Sequence, residues 1–111
     1  MKRVLILDDE KPTANALARI LRPFYKVDVF QTGHFALESI RATKYDVIVS
    51  DVQMPHMSGP EFYTQVCCIK PELAEHFMYH TGTPVSDSVP TVIKGSDPKV
   101  IRDMVKSLSS V

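Results

Sequence analysis

The chain has 111 residues, 44% of them hydrophobic, which suits one core and a single domain over 1–111. Thirteen basic side chains balance thirteen acidic ones. That balance argues against the clustered positive charge of a general nucleic-acid surface, so no direct nucleic-acid binding is expected. The adjacent Cys67 and Cys68 make no disulfide framework and read as small buried side chains in a reducing compartment.

Lys2 and Arg3 precede an apolar run of only Val4 to Leu7. That is too short for a signal peptide or a membrane span, so a cytoplasmic protein is expected. The run reads as a first buried strand ending in Asp8, Asp9 and Glu10. Pro12 suits the first turn of a helix. Ala14, Leu17, Ala18 and Leu21 then repeat at helical spacing until Pro23. Val27 to Phe30 reads as a second strand. Thr32 can cap a second helix, with Phe35, Ala36, Leu37 and Ile40 on its inward side.

Val47 to Val49 is a third strand, followed by Asp51 and a loop with Pro55 and Gly59. Ser58 and Glu61 have capping-box spacing and open a helix that runs to about Cys68. Phe77 to Tyr79 is a fourth strand, closing on His80, Thr81 and Gly82. Val89 to Ile93 is a fifth, interrupted by Pro90 and closing on Lys94. Asp97 caps a last helix that Pro98 opens, with Val100, Ile101, Met104, Val105 and Leu108 on its buried face.

Strands alternating with helices predict an α/β fold, a doubly wound parallel sheet of five strands. In the common order 2-1-3-4-5, which is flavodoxin-like, the first and third strands are neighbours. Asp8 and Asp9 then meet Asp51 at the carboxyl ends of the strands. Two unit charges about 4 Å apart repel by about 4 kcal/mol at an effective dielectric near 20. Such a cluster therefore needs a cation, and hard carboxylate oxygens suit Mg²⁺. Lys94 supplies a fixed cation and Thr81 a hydroxyl. Together these groups are what phosphoryl transfer to a nucleophilic Asp51 requires.

VLILDDE with Asp8 and Asp9, VIVSDVQMP with Asp51, HTG with Thr81 and VIK with Lys94 together resemble the receiver domain of bacterial response regulators. The likeness extends over essentially the whole chain. It implies a non-enzymatic signalling domain that acts through protein–protein interaction. Asp51 would be phosphorylated by a histidine kinase or a histidine phosphotransfer protein. Asp9, Asp51 and the backbone carbonyl of Gln53 would ligate Mg²⁺, with Asp8 acting mainly through water. Thr81 and Lys94 would contact the phosphoryl oxygens. The domain could stand alone or be part of a longer regulator or hybrid kinase.

The chain departs from that family in three places. Nine residues between the fourth and fifth strands, rich in proline and poor in helix formers, are too few for the usual helical crossover. The fourth helix is therefore expected to be absent or reduced to a turn. An uncovered sheet face, and self-association or partner binding near 81–95, are expected to follow. Gly95 also stands where the family usually has proline after the lysine. Thr91 stands in place of an aromatic that, in the family, couples phosphorylation to output. These changes raise a second reading, a receiver-fold interaction module that no longer switches. A haloacid-dehalogenase-type phosphatase ranks far behind, because that class wants a second acid at the position of Gln53.

Overall fold

Short apolar runs bounded by turn residues become parallel strands because both of their faces must be covered. The computed structural model describes residues 1–83, 85 and 88–110; Pro84, Ser86, Asp87 and Val111 lie outside them. The elements in order are β1 (Arg3–Leu7), α1 (Lys11–Leu21), β2 (Lys26–Phe30), α2 (Gly33–Ala42), β3 (Val47–Ser50), α3 (Gly59–Ile69), a 3-10 turn (Pro71–His76), β4 (Phe77–Thr81), β5 (Thr91–Ile93) and α4 (Pro98–Ser109). The sheet order is β2-β1-β3-β4-β5, and every neighbouring pair is parallel. This is the flavodoxin-like order expected from the alternation of elements.

Successive strand residues point to opposite faces, and here they feed two cores. Val4, Ile6, Val49 and Met78 pack against α1 and α4. Leu5, Leu7, Ile48, Phe77 and Tyr79 pack against α2 and α3. Each fully buried leucine of this kind contributes about 1.5–3 kcal/mol, so the central strands hold the sheet firmly. Local signals fix the helix starts. Ser58 Oγ accepts from Glu61 N–H at 3.2 Å, and the Glu61 carboxylate accepts from Ser58 N–H at 3.2 Å. Asp97 Oδ1 accepts from Lys99 N–H at 2.8 Å.

Several expectations need correction. Phe35 is 63% exposed and Val100 48% exposed. Each lies beside the buried stripe of its helix, because helical spacing gives neighbours of a stripe without saying where the stripe's edge falls. Thr32 occupies the N-cap of α2, but its side chain makes no cap hydrogen bond. Cys67 is half-buried and Cys68 exposed, so neither thiol is a core side chain. The strand after Pro90 starts only at Thr91.

The β4–β5 connection spans 82–90, and none of its described residues is helical. The part of the crossover that falls on Pro84, Ser86 and Asp87 lies outside the described residues. The expected uncovered sheet face is not found. Phe77 and Tyr79 have no exposure, because Val85 and Val89 of the connection and Tyr63 of α3 pack over that core. Among the described residues of 81–95, Ile93 is the large hydrophobic left exposed, at 40%. The apolar exposure that suggested an interface there is correspondingly small.

Candidate functional site

Register brings the acids together. Leu7 pairs with Ser50 across β1 and β3, so Asp8 and Asp51 leave the sheet side by side, and Asp51 N–H donates to Leu7 O at 2.9 Å. Both carboxylates are nearly inaccessible, Asp8 at 2% and Asp51 at 4%. Asp9 is half-buried and Glu10 exposed. One carboxylate oxygen from each of Asp8, Asp9, Glu10 and Asp51 lies within 4.8 Å of the others.

Lys94 reaches this cluster from the end of β5. Its Nζ is 2.8 Å from Asp51 Oδ2, 3.2 Å from Asp8 Oδ2 and 3.7 Å from Glu10 Oε1. Its backbone is held by the parallel pairing of β5 with β4 and by a hydrogen bond at each end of β5, Tyr79 N–H to Pro90 O at 2.9 Å and Lys94 N–H to Thr81 O at 2.8 Å. Burial works against the Lys94 charge, but the hydrogen bond to Asp51 and the charges of Asp8 and Asp51 outweigh it and raise its pKa. Burial likewise raises the Asp8 pKa. The hydrogen bond from Glu10 N–H opposes this, the Asp51 charge adds to it, and Lys94 only partly offsets it.

A cavity of about 170 Å³ opens over Asp51, lined also by Glu10, Gln53, Thr81, Gly82, Thr83 and Lys94. Thr81 Oγ1 accepts from Thr83 N–H at 3.3 Å, which turns the chain at the cavity rim. Below Asp51 the space is tight. A Cβ on Gly59 would lie 2.5 Å from Asp51 O and 2.8 Å from Val52 Cα. Glycine there lets the start of α3 press against the strand end that carries the acid.

All six residues singled out in the sequence therefore stand at one end of the sheet. Asp8, Asp9 and Asp51 are in the cluster, Lys94 bridges it, and Gln53 and Thr81 line the cavity with Asp51. The donor set fits a hard divalent cation, consisting of carboxylate oxygens with an open cavity beside them. Asp9 Oδ1 is buried and has no hydrogen-bond partner among the described residues, as a ligand oxygen awaiting a cation would be. Sequence reasoning missed Glu10, whose signal was its place directly after two acids. From the residues alone, His80 reads as an ordinary surface or core histidine, with a modulating role left open only by its place next to Thr81.

Gly95 has φ of +89°. Proline, fixed near −65°, cannot adopt that conformation, so the turn after Lys94 takes a path of its own. Thr91 Oγ1 donates to Val89 O at 3.1 Å, anchoring the connection to the first residue of β5.

A sequence profile of the response regulator receiver domain matches residues 4–83. The receiver protein CpdR of Brucella abortus is 28% identical over 118 aligned positions, which cover 100% of this chain and 97% of CpdR. A response regulator receiver protein of Anaeromyxobacter is 37% identical over 75 positions, 67% of this chain but 32% of that relative. The chain thus spans about a third of the latter's length. TrrA of Thermotoga maritima, solved in complex with Mg²⁺ and BeF, has TM-score 0.85 at 26% identity and is covered over 99% of its length by 97% of this chain. A CheY-like receiver from Methanospirillum hungatei has TM-score 0.89 at 20% identity over 99% of this chain and 94% of its own, a likeness of fold alone.

Proposed function

The chain belongs to the response regulator receiver domain family, and from that premise we propose that Asp51 takes a phosphoryl group from a histidine kinase or histidine phosphotransfer protein. One observation carries the reading. A buried carboxylate with Lys94 Nζ at 2.8 Å lies on the floor of a cavity that also holds Thr81, beside an acid cluster with an unpaired oxygen on Asp9. The whole of 1–111 is read as one such domain. It acts by binding partners rather than by turnover, whether alone or within a longer protein.

An Asp51 oxygen attacks the phosphorus of a phosphohistidine. The O–P bond forms as the N–P bond breaks, and the leaving imidazole nitrogen keeps the electron pair and takes a proton. Asp51 Oδ1 accepts from Val52 N–H at 2.7 Å, which fixes the carboxylate plane. Lys94 and Thr81 stand where charge grows on the equatorial oxygens and stabilise it there. Asp8, Asp9, Asp51 and the Gln53 carbonyl would hold Mg²⁺, which supplies further charge neutralisation on those oxygens. The same reading puts the chain in the cytoplasm with its two thiols reduced. No helix among the described residues is long and apolar enough to cross a membrane.

The second reading, a receiver-fold module that no longer switches, draws on Thr91 and on the short β4–β5 connection, none of whose described residues is helical. Incubation with Mg²⁺ and acetyl phosphate separates the two. The expected result is a mass gain of one phosphoryl group that disappears in Asp51→Asn and is at least about tenfold slower in Lys94→Met, the scale of losing one positioned charge. No gain in the parent chain would favour the non-switching module.

A further inference from the structure

His80 is a misfit of chemistry. It sits in β4 on the same sheet face as Met78, where α1 and α4 pack, and it is only 6% exposed. Its Nδ1 is buried and has no hydrogen-bond partner among the described residues. A buried polar atom left unpaired costs about 1–3 kcal/mol, and a valine or leucine would fill such a position without that cost. The fold itself therefore does not ask for an imidazole here.

The surroundings suggest what does. A second hollow, of about 440 Å³, lies on this face between α1 and the β5–α4 turn, with Pro12, Thr13, Leu17 and Ile101 among its walls. His80 and Lys94 both line it. Lys94 also lines the cavity over Asp51, so this residue borders both spaces. Burial, and then the charge of Lys94, lower the His80 pKa, while Asp51 works the other way. A neutral imidazole with its proton on Nε2 offers Nδ1 as an acceptor.

Lys94 and a divalent cation compete for the same oxygens. The ammonium now holds Asp51 and Asp8, and a cation bound among those acids would repel it and take its partners. We propose that His80 is a positioning residue for Lys94, whose Nδ1 accepts the lysine ammonium when a divalent cation enters the acid cluster. The inference rests on the Mg²⁺ site of the proposed function. It adds that metal affinity is set in part by an acceptor outside the ligand shell.

The test is titration of Mg²⁺ alone into the metal-free chain, followed by chemical shifts or calorimetry, on four proteins: parent, His80→Leu, Lys94→Met and the double variant. His80→Leu should bind Mg²⁺ about tenfold more weakly, equivalent to about 1.4 kcal/mol, at the low end for a hydrogen bond to a charged group. In the Lys94→Met background the same change should have no effect, since nothing remains to be displaced. His80→Asn, whose amide oxygen falls near the Nδ1 position, should recover most of the affinity. An unchanged Kd in His80→Leu, or an equal loss with and without Lys94, overturns the inference while leaving the metal site intact. A parent chain that binds no Mg²⁺ overturns both.

Discussion

The β1–β3 pair and the β4–β5 edge deliver their side chains to one site by different means. Val4 through Leu7 and Val47 through Ile48 have no exposure, and helices cover both faces of these strands. Asp8 and Asp51 therefore stand at the ends of rods that cannot shift without opening the core. The other edge is spare. β5 has three residues, and Lys94 is held in register by the short β4–β5 ladder and a backbone hydrogen bond at each of its ends. A strand-end site needs register at every strand, whereas cover for the sheet face can come from whichever apolar side chains the connection supplies. Here Val85 and Val89 do the covering that a helix would otherwise do.

The largest effect is expected in the rigid half. Gly59→Ala puts a methyl group against Asp51 O and Val52 Cα. It should cost about 1–3 kcal/mol as overpacking against backbone, read in urea midpoints, and should slow phosphoryl uptake by displacing Asp51. An unchanged midpoint would mean that the acid half is as yielding as the edge.

On the edge itself, Val89→Ala should cost about 1 kcal/mol, within the usual range for single substitutions. Amide exchange of β1 and β3 should stay as slow as in the parent. Faster exchange throughout the sheet would show that the loop carries more of the fold than its partial burial suggests.

The smallest effect concerns charge rather than packing. The Asp8 pKa is raised above 3.8 by burial first. A raised acid stabilises the folded chain below its unfolded pKa, and that contribution is lost as pH climbs through the folded pKa. Without metal, Asp8→Asn should therefore melt slightly higher than the parent at neutral pH, with the gain vanishing below 3.8. Added Mg²⁺ should reverse the order, because the variant lacks a ligand-shell carboxylate. A variant that melts lower at neutral pH without metal would show that the ion pair with Lys94 outweighs burial.

Much of this was legible in the residues alone. Alternating apolar runs and helical stripes announced the sheet and its helices, and the Ser58–Glu61 spacing announced a cap that forms as expected. The acids and Lys94 stand just past strand ends and Thr81 is the last residue of β4, at the edge where open α/β sheets keep their chemistry. The shortness of 82–90 also foretold a crossover without a full helix. The uncovered face expected from it is absent among the described residues, because a stretch rich in proline and poor in helix formers still carries Val85 and Val89, which pack against the core.

Hydrophobic period, capping and turn chemistry are local, so the residues alone foretell the five strands and four long helices and the polar residues that end them, though not the 3-10 turn at Pro71–His76. Only the tertiary structure decided that Phe35 faces water, that Gly59 must be glycine, that Lys94 spans Asp51 and Asp8, and that His80 lies buried behind it with a nitrogen unpaired. Each of these depends on the distance between atoms more than a dozen residues apart, or on where a helix meets its sheet. Periodicity in one segment carries no measure of such distances; register across the sheet does.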